Sequence, residues 1–251
     1  MKAEYIDHMG TDLSVVNAAR VSFAKLSKFL KGPDGQNDLS TGDVGLLRFL
    51  ARGLMTNDWD DLVNRIVDVN DKEDAAAIVK EIHHISTHWT PFAHTAISVR
   101  MCAPLPIRTQ CFKHKQGLTE NEESRRYISS EPEIFLPVFR EKATNKKQGS
   151  GPEIKGEDKN TIDIIYRSAV MSAVETYKYL LCKGVCEEQA RFVLPQGTEV
   201  NWVWTGNLFS FANFYNKRSK SDAQKEIQDL AKEVGDIIAP LFPYSWAALT
   251  E

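Results

Sequence analysis

Two stretches of strict two-residue alternation stand in a chain whose other apolar residues recur every three or four positions. In "HTAISVRMCAP", Thr95, Ile97, Val99 and Met101 alternate with Ala96, Ser98, Arg100 and Cys102, and "TEVNWVWT" (198–205) alternates likewise. Successive side chains of an extended chain point to opposite faces, so both stretches read as strands with one buried face. Pro104 and Pro106 end the first, and Pro106 suits the opening turn of a helix running from Ile107 into Lys113-His114-Lys115. The other patterned segments are helical. "TDLSVVNAARVSF" opens on capping residues and spaces Leu13, Val16, Ala19 and Phe23 along one helical face. Further helices are expected over 42–55, weakened by Gly45 and Gly53, over 71–86, with acidic residues in its first turn, and over 161–184, closed by Gly184. Another is expected over 221–238, with Ser221 and Gln224 as a capping box. Many helices with few strands imply a mixed α+β fold. The stretch 141–160 is polar and charged with both signs, and reads as a mobile surface loop.

A chain of 251 residues with 42% hydrophobic and 26% charged residues has ordinary globular composition. Its net charge of -3 argues against a general nucleic-acid or anionic-membrane binder, whose basicity is global. No apolar run approaches the roughly 20 residues that span a bilayer, and "MKAEYIDHMG" lacks a secretory apolar core. Cys102, Cys111, Cys182 and Cys186 show no paired CxxC spacing, so free thiols in a reducing cytoplasm are expected.

Against that acidic background, "CFKHKQGLTENEESRRYI" concentrates Lys113, His114, Lys115, Arg125 and Arg126, with Arg108 just upstream. A bare charge run is usually a solvated face. Here Gln110, Asn121, Glu122, Ser124 and Tyr127 are interleaved with the cations, a mixture suited to a phosphorylated polar ligand. Ser124 near His114 raises a hydrolase reading, but no G-x-S-x-G elbow occurs, and neither glycine-rich phosphate loop is present. In "HHISTHWTPFAH", His84, His88 and His94 must be weighed as metal ligands. Histidines at a helix end are the better reading, with His88 able to stack on a planar ligand. Near the C-terminus, Arg191, Asn207, Asn213, Asn216 and Arg218 lie in an aromatic segment whose Phe209, Phe211, Phe214 and Tyr215 suit a core. Asn207 and Asn213, six apart, would sit on roughly opposite sides of a helix and grip different parts of a large ligand.

These segments together resemble the flavin-dependent thymidylate synthases. "NEESRRY" matches the ending of that family's motif at Asn121, Glu122, Ser124, Arg126 and Tyr127, and "QCFKHK" resembles the Q-x-x-R-H-R before it. "DLSVVNAARVSF" is similar to the family's N-terminal helix, "HWTPFAH" to its H-x-T-P-F-x-H, and "ARFVLP", Asn207, Asn213, Arg218 and "AQKEI" follow its C-terminal order. Three departures stand out. The triplet is Lys-His-Lys, and Gln116 to Glu123 is one residue longer than the family's spacing to the serine. Phe209 stands where many relatives carry arginine.

The resemblance implies helices packed on a small, mainly antiparallel sheet, in a single domain over 1–251. It implies conversion of dUMP to dTMP with methylenetetrahydrofolate as carbon donor, NADPH as reductant and FAD as hydride carrier. Substrate would be bound by Gln110, Glu122, Ser124, Arg125, Arg126, Arg191 and Arg218, with Arg218 catalytic at the uracil. FAD would meet Ser22, His88, Thr90, Lys113, His114, Lys115, Glu122, Asn207 and Asn213, and no metal is implied. Relatives are homotetramers with shared active sites, so the Lys-His-Lys stretch and Arg218 are expected to meet across a subunit interface. The rivals are a non-catalytic nucleotide- or RNA-binding module and a metal-dependent hydrolase.

Overall fold

The computed structural model describes residues 1–32, 34–52, 64–65, 78, 88–144 and 149–250. They form strands β1 (Lys2–Met9), β2 (Leu30–Lys31), β3 (Asn37–Asp38), β4 (Ala96–Pro104), β5 (Leu118–Glu122), β6 (Arg140–Lys142), β7 (Ser150–Glu153) and β8 (Glu199–Gly206). The described helices are α1 (Asp12–Arg20), α2 (Thr41–Ala51), α3 (Leu105–Cys111), α4 (Glu157–Cys182), α5 (Glu187–Ala190), α6 (Leu208–Arg218), α7 (Lys225–Ile238) and α8 (Pro243–Thr250). Short 3-10 turns lie at Val21–Phe23, Thr90–Ala93 and Arg191–Val193. The chain divides into two compact units. The first comprises Met1–Ile6, Ser98–Thr205 and Lys217–Val234, and the second Asp7–Ile97, Gly206–Asn216 and Gly235–Glu251.

A four-stranded sheet in the order β1-β4-β8-β5 organises the first unit. Ser98 and Thr205 share a 2.9 Å hydroxyl hydrogen bond, while Cys102 donates to Glu199 at 3.6 Å. Residue numbers thus rise along β4 as they fall along β8, so these central strands are antiparallel. The alternation in β8 is complete: Val200, Trp202 and Trp204 are buried, while Glu199, Asn201, Val203 and Thr205 are partly exposed. Fully burying an apolar side chain of this kind stabilises by roughly 2–3 kcal/mol, and that preference fixes the register of the strand. In β4 the pattern holds through Met101, after which Cys102, Ala103 and Pro104 are buried on both faces.

Around α7 the helical period is equally legible. Ile227, Leu230, Ala231, Val234 and Ile238 are buried, and Lys232, Glu233 and Asp236 are exposed. In the second unit, α1 packs on α2, on α8 and on the turn Thr90–Ala93. Asp12 accepts the backbone N–H groups of Tyr244 and Ser245 at 2.9 and 2.8 Å, capping α8 with a buried carboxylate.

Several expectations are corrected. The helix α1 stops at Arg20 and tightens into a 3-10 turn, so Phe23 is exposed and the buried face is Asp12, Val15 and Val16. The helix α3 ends before the Lys-His-Lys triplet: Phe112 caps it, the His114 N–H bonds to the Cys111 carbonyl at 3.0 Å, and Gly117 takes a positive φ of 70° that turns the chain into β5. The helix α7 starts at Lys225, and the Gln228 N–H bonds to the Gln224 carbonyl, so no Ser221 capping box forms. Gln224 spends its side chain on Gln110 instead. The stretch 141–160 contains most of an antiparallel hairpin, β6 with β7, and the first turn of α4. The helix expected over 71–86 lies almost wholly outside the described residues. The strands β1 and β5 and the helix α8 have no counterpart in the expected elements, and the aromatic segment 208–218 forms the helix α6.

Candidate active site

The cationic segment occupies α3, the turn after it and β5, all in the first unit. Proline at the start of α3 costs no helix hydrogen bond, and Ile107 and Cys111 anchor its inner face. Past β5, the chain is held to β8 by the Glu123 N–H on the Asn201 carbonyl at 2.9 Å and by the Asn201 amide on the Glu123 carboxylate at 3.0 Å. This placement divides the cations. Arg108 makes a two-point pair with Glu122 at 2.7 and 3.0 Å, and Lys115 pairs with Glu120. Burial pushes the Glu122 carboxyl up, and Arg108 opposes that. Arg125 reaches the Ser130 carbonyl at 2.5 Å, and Arg191 reaches the Glu188 carbonyl at 3.2 Å.

Between these groups lies a cavity of about 140 Å³ lined by Arg108, Glu122, Glu123, Ser124, Arg125 and Arg191, with an apolar wall that includes Leu194 and Val200. It brings together Glu122, Ser124, Arg125 and Arg191 from α3–β5 and from the Arg191–Val193 turn. Sites that enclose whole small-molecule ligands run to about 300–1,000 Å³, so this one has room for one end of a nucleotide. Arg126 does not line it. Its guanidinium lies 5.0 Å from the centre of the Tyr127 ring and its Nε donates to Ser124 Oγ at 3.2 Å. Arg108, upstream of the cationic cluster in sequence and not among the expected site residues, joins the lining, and its pairing with Glu122 depends on where β5 lies.

Arg218 meets the segment within one chain, which corrects the expectation of an interface contact. Its Nε donates to His114 Nε2 at 3.0 Å, and its Nη2 reaches the Gln110 carbonyl at 3.4 Å. Gln110 continues the network to Gln224 at 2.8 Å, and Gln224 to Glu226 at 2.9 Å. Burial, with the charges of Arg218 and Lys217, pushes His114 down to about 4. His114 is therefore a neutral acceptor at neutral pH and not one of the cations. Burial pushes the thiol of Cys111 up to about 12, which leaves it protonated and unfit as a nucleophile.

A separate group lies in the second unit. Ser22 is exposed on the Val21–Phe23 turn, and Thr90, also exposed, opens the turn Thr90–Ala93 against α1. His88 stacks on Phe49 with ring centres 6.1 Å apart, and Trp89 stacks on Phe209 at 5.2 Å. Asn207 precedes α6 and caps it: the N–H and the hydroxyl of Ser210 both donate to Asn207 Oδ1 at 2.9 Å. Asn213 is half-buried on α6, while Phe211 and Phe214 are fully buried as core. Hydroxyls, an imidazole and amides beside exposed aromatic faces are the donor set that a flat ring with polar edges requires, and these residues fit a flavin. Among the described residues no group of three His, Cys, Asp or Glu side chains is placed to hold a metal, and His84 lies outside them.

A small sheet accompanied by eight described helices, with an arginine-lined cavity, makes this an α+β protein. The profile of the family described as thymidylate synthase complementing protein matches residues 4–244, and the chain belongs to that family. It is 32% identical over 243 residues to the flavin-dependent thymidylate synthase of Thermosipho melanesiensis, covering 96% of this chain and 86% of that one. To the protein of the same name from Thermosipho africanus it is 29% identical over 248 residues, covering 97% and 88%. Among solved structures it is similar to the UMP/dUMP methylase PolB from Streptomyces cacaoi bound with 5-Br dUMP, with a TM-score of 0.69, 25% identity and coverage of 98% and 93%. The same methylase bound with 5-Br UMP aligns with a TM-score of 0.73 at 22% identity, a likeness of fold.

Proposed function

We propose that this protein is a flavin-dependent thymidylate synthase that converts dUMP to dTMP, with methylenetetrahydrofolate as carbon donor and NADPH as the reductant of FAD. The observation that carries the reading is the cavity framed by Arg108, Arg125 and Arg191; in the same unit Arg218 donates to a neutral His114. Arg191, which lines the cavity, holds the phosphate, and Arg126, outside the lining but bonded to the lining Ser124, turns to join it, since a guanidinium offers a phosphate two parallel hydrogen bonds. Gln110, Glu122, Ser124 and Arg125 position the nucleotide. Ser124 Oγ accepts from the N–H and the Nε of Arg126, which suits positioning rather than attack. Arg218, always charged, stabilises negative charge developing on the uracil ring.

For the cofactor we assign Ser22, His88, Thr90, Lys113, His114, Lys115, Glu122, Asn207 and Asn213. FAD, when bound, supplies the hydride, and the protein's part is to orient ring against ring and exclude water. The whole chain serves as one catalytic domain, in a homotetramer with shared active sites. Ile164, Ile165, Met171 and Tyr179 of α4, 60–67% exposed, support such an assembly. Among the described residues no helix is long and apolar enough to cross a membrane. We place the enzyme in the cytoplasm.

The test is a visible spectrum of the purified protein given FAD and freed of unbound flavin, before and after dUMP, followed by assay of dTMP with all co-substrates. Retained flavin, a dUMP-induced spectral change and dTMP formation are expected. Arg218→Ala should lower turnover by about a hundredfold or more while the flavin is retained. Absence of dTMP with every substrate present, and no difference between wild type and Arg218→Ala, would sink the reading.

A further inference from the structure

Ser22 stands in a loop, 21–29, that is held by its ends. Val21, Phe23 and Leu26 are 70%, 76% and 74% exposed, so burial does little to place the loop. Ala24, with φ of 53°, adopts the left-handed conformation that residues with a Cβ avoid, and its neighbours must impose it. The turn is closed locally, by the Ala24 N–H on the Val21 carbonyl at 3.1 Å and the Lys25 N–H on the Arg20 carbonyl at 3.2 Å, and its two ends are tied by polar contacts converging on Asp43, in the first turn of α2.

Arg20, immediately before the loop, donates to Asp43 Oδ1 from Nε at 2.8 Å and from Nη2 at 2.5 Å. Ser27, near the end of the loop, donates its hydroxyl to the same oxygen at 2.8 Å. The second oxygen, Oδ2, accepts from Ser40 Oγ at 2.7 Å. Asn17 binds the backbone of Ser27 on both sides, from Nδ2 to the carbonyl at 3.2 Å and from the Ser27 N–H to Oδ1 at 2.7 Å. Asp43 is 3% exposed, a burial that is unfavourable for a carboxylate unless donors surround it. Two of the three side chains that donate to it belong to the ends of the Ser22 loop.

We propose that Asp43 is a positioning residue for the cofactor. It clamps Arg20 and Ser27 so that the loop presents Ser22, Val21 and Phe23 to the flavin in one fixed arrangement, and it sets flavin affinity without touching the ring. The clamp acts by removing the entropy that a free loop would lose on binding. This rests on the flavin reading above.

The experiment compares wild type with Asp43→Asn and with Arg20→Gln, the latter removing the same contact from its partly exposed side. FAD affinity is measured by equilibrium dialysis, dUMP affinity by calorimetry, apoprotein melting by scanning, and loop opening by tryptic cleavage after Lys25 and Lys28. Both variants should weaken FAD by about tenfold or more and speed cleavage in the loop, while dUMP affinity stays within about twofold. The double variant should add little to either single one, because both break the same clamp. Wild-type flavin affinity in both variants overturns the inference while leaving the proposed function intact. Parallel loss of FAD and dUMP binding with a collapsed melting temperature also overturns it, by showing that Asp43 merely supports the fold. If wild type itself retains no flavin, the proposed function fails first and takes the clamp's role with it.

Discussion

At the scale of single residues, environment decides which charges exist. Six cationic-type side chains crowd 108–126, yet Arg108 is spent on Glu122, Lys115 on Glu120, and His114 is neutral. The pH consequence follows from the direction of the His114 shift. A histidine held at about 4 in the fold, against an ordinary value near 6.5, leaves the unfolded chain binding more protons between those values. Its contribution to stability is complete above about pH 6.5 and is lost as pH falls through about 4. Urea unfolding at pH 7 and at pH 4.5 should show a larger fall in midpoint for wild type than for His114→Gln. Equal falls in the two proteins would mean that His114 does not titrate as placed.

At the scale of elements, close packing sets what each helix tolerates. In the second unit, a Cβ added at Gly235 of α7 would stand 2.7 Å from Cε2 of Tyr215 and 3.4 Å from the Trp246 ring. Tyr215 and Trp246 already meet edge to face at 5.3 Å, so the ring has little freedom to retreat. In an open helix, Gly→Ala would gain about 1 kcal/mol from propensity, whereas overpacking a filled site costs about 1–3 kcal/mol. The crowding wins. Gly235→Ala should lower the unfolding free energy by about 1 kcal/mol, measured by denaturant titration. A more stable variant would mean that Tyr215 moves freely.

At the scale of the whole molecule, the long helix α4 poses the main question. It buries only Val170, Val174 and Tyr177, and leaves Ile164, Ile165, Met171 and Tyr179 largely in water. Large apolar side chains left exposed along one helix suit an association face. If the proposed tetramer forms through this face, Ile164→Asp combined with Ile165→Asp should lower the mass measured by light scattering and reduce dTMP formation with it. An unchanged mass would place any interface elsewhere.

Local pattern was enough for part of this protein. The two-residue period of β4 and β8 and the helical period of α7 are legible because a strand or helix with one buried face writes that face into its own residues. The family was legible too, since "NEESRRY", "HWTPFAH" and Arg218 keep their order whatever the chain does between them. What only the tertiary structure decided is pairing and solvation. The strand β5 forms because β8 lies beside it, and Arg218 meets His114 across a separation of 104 residues. Asp43 closes a loop that begins beside Arg20, 23 residues earlier. Such contacts depend on where distant segments come to lie, and burial then decides whether a group such as His114 is charged. Neither the distance nor the dielectric around a side chain is written in its neighbours along the chain.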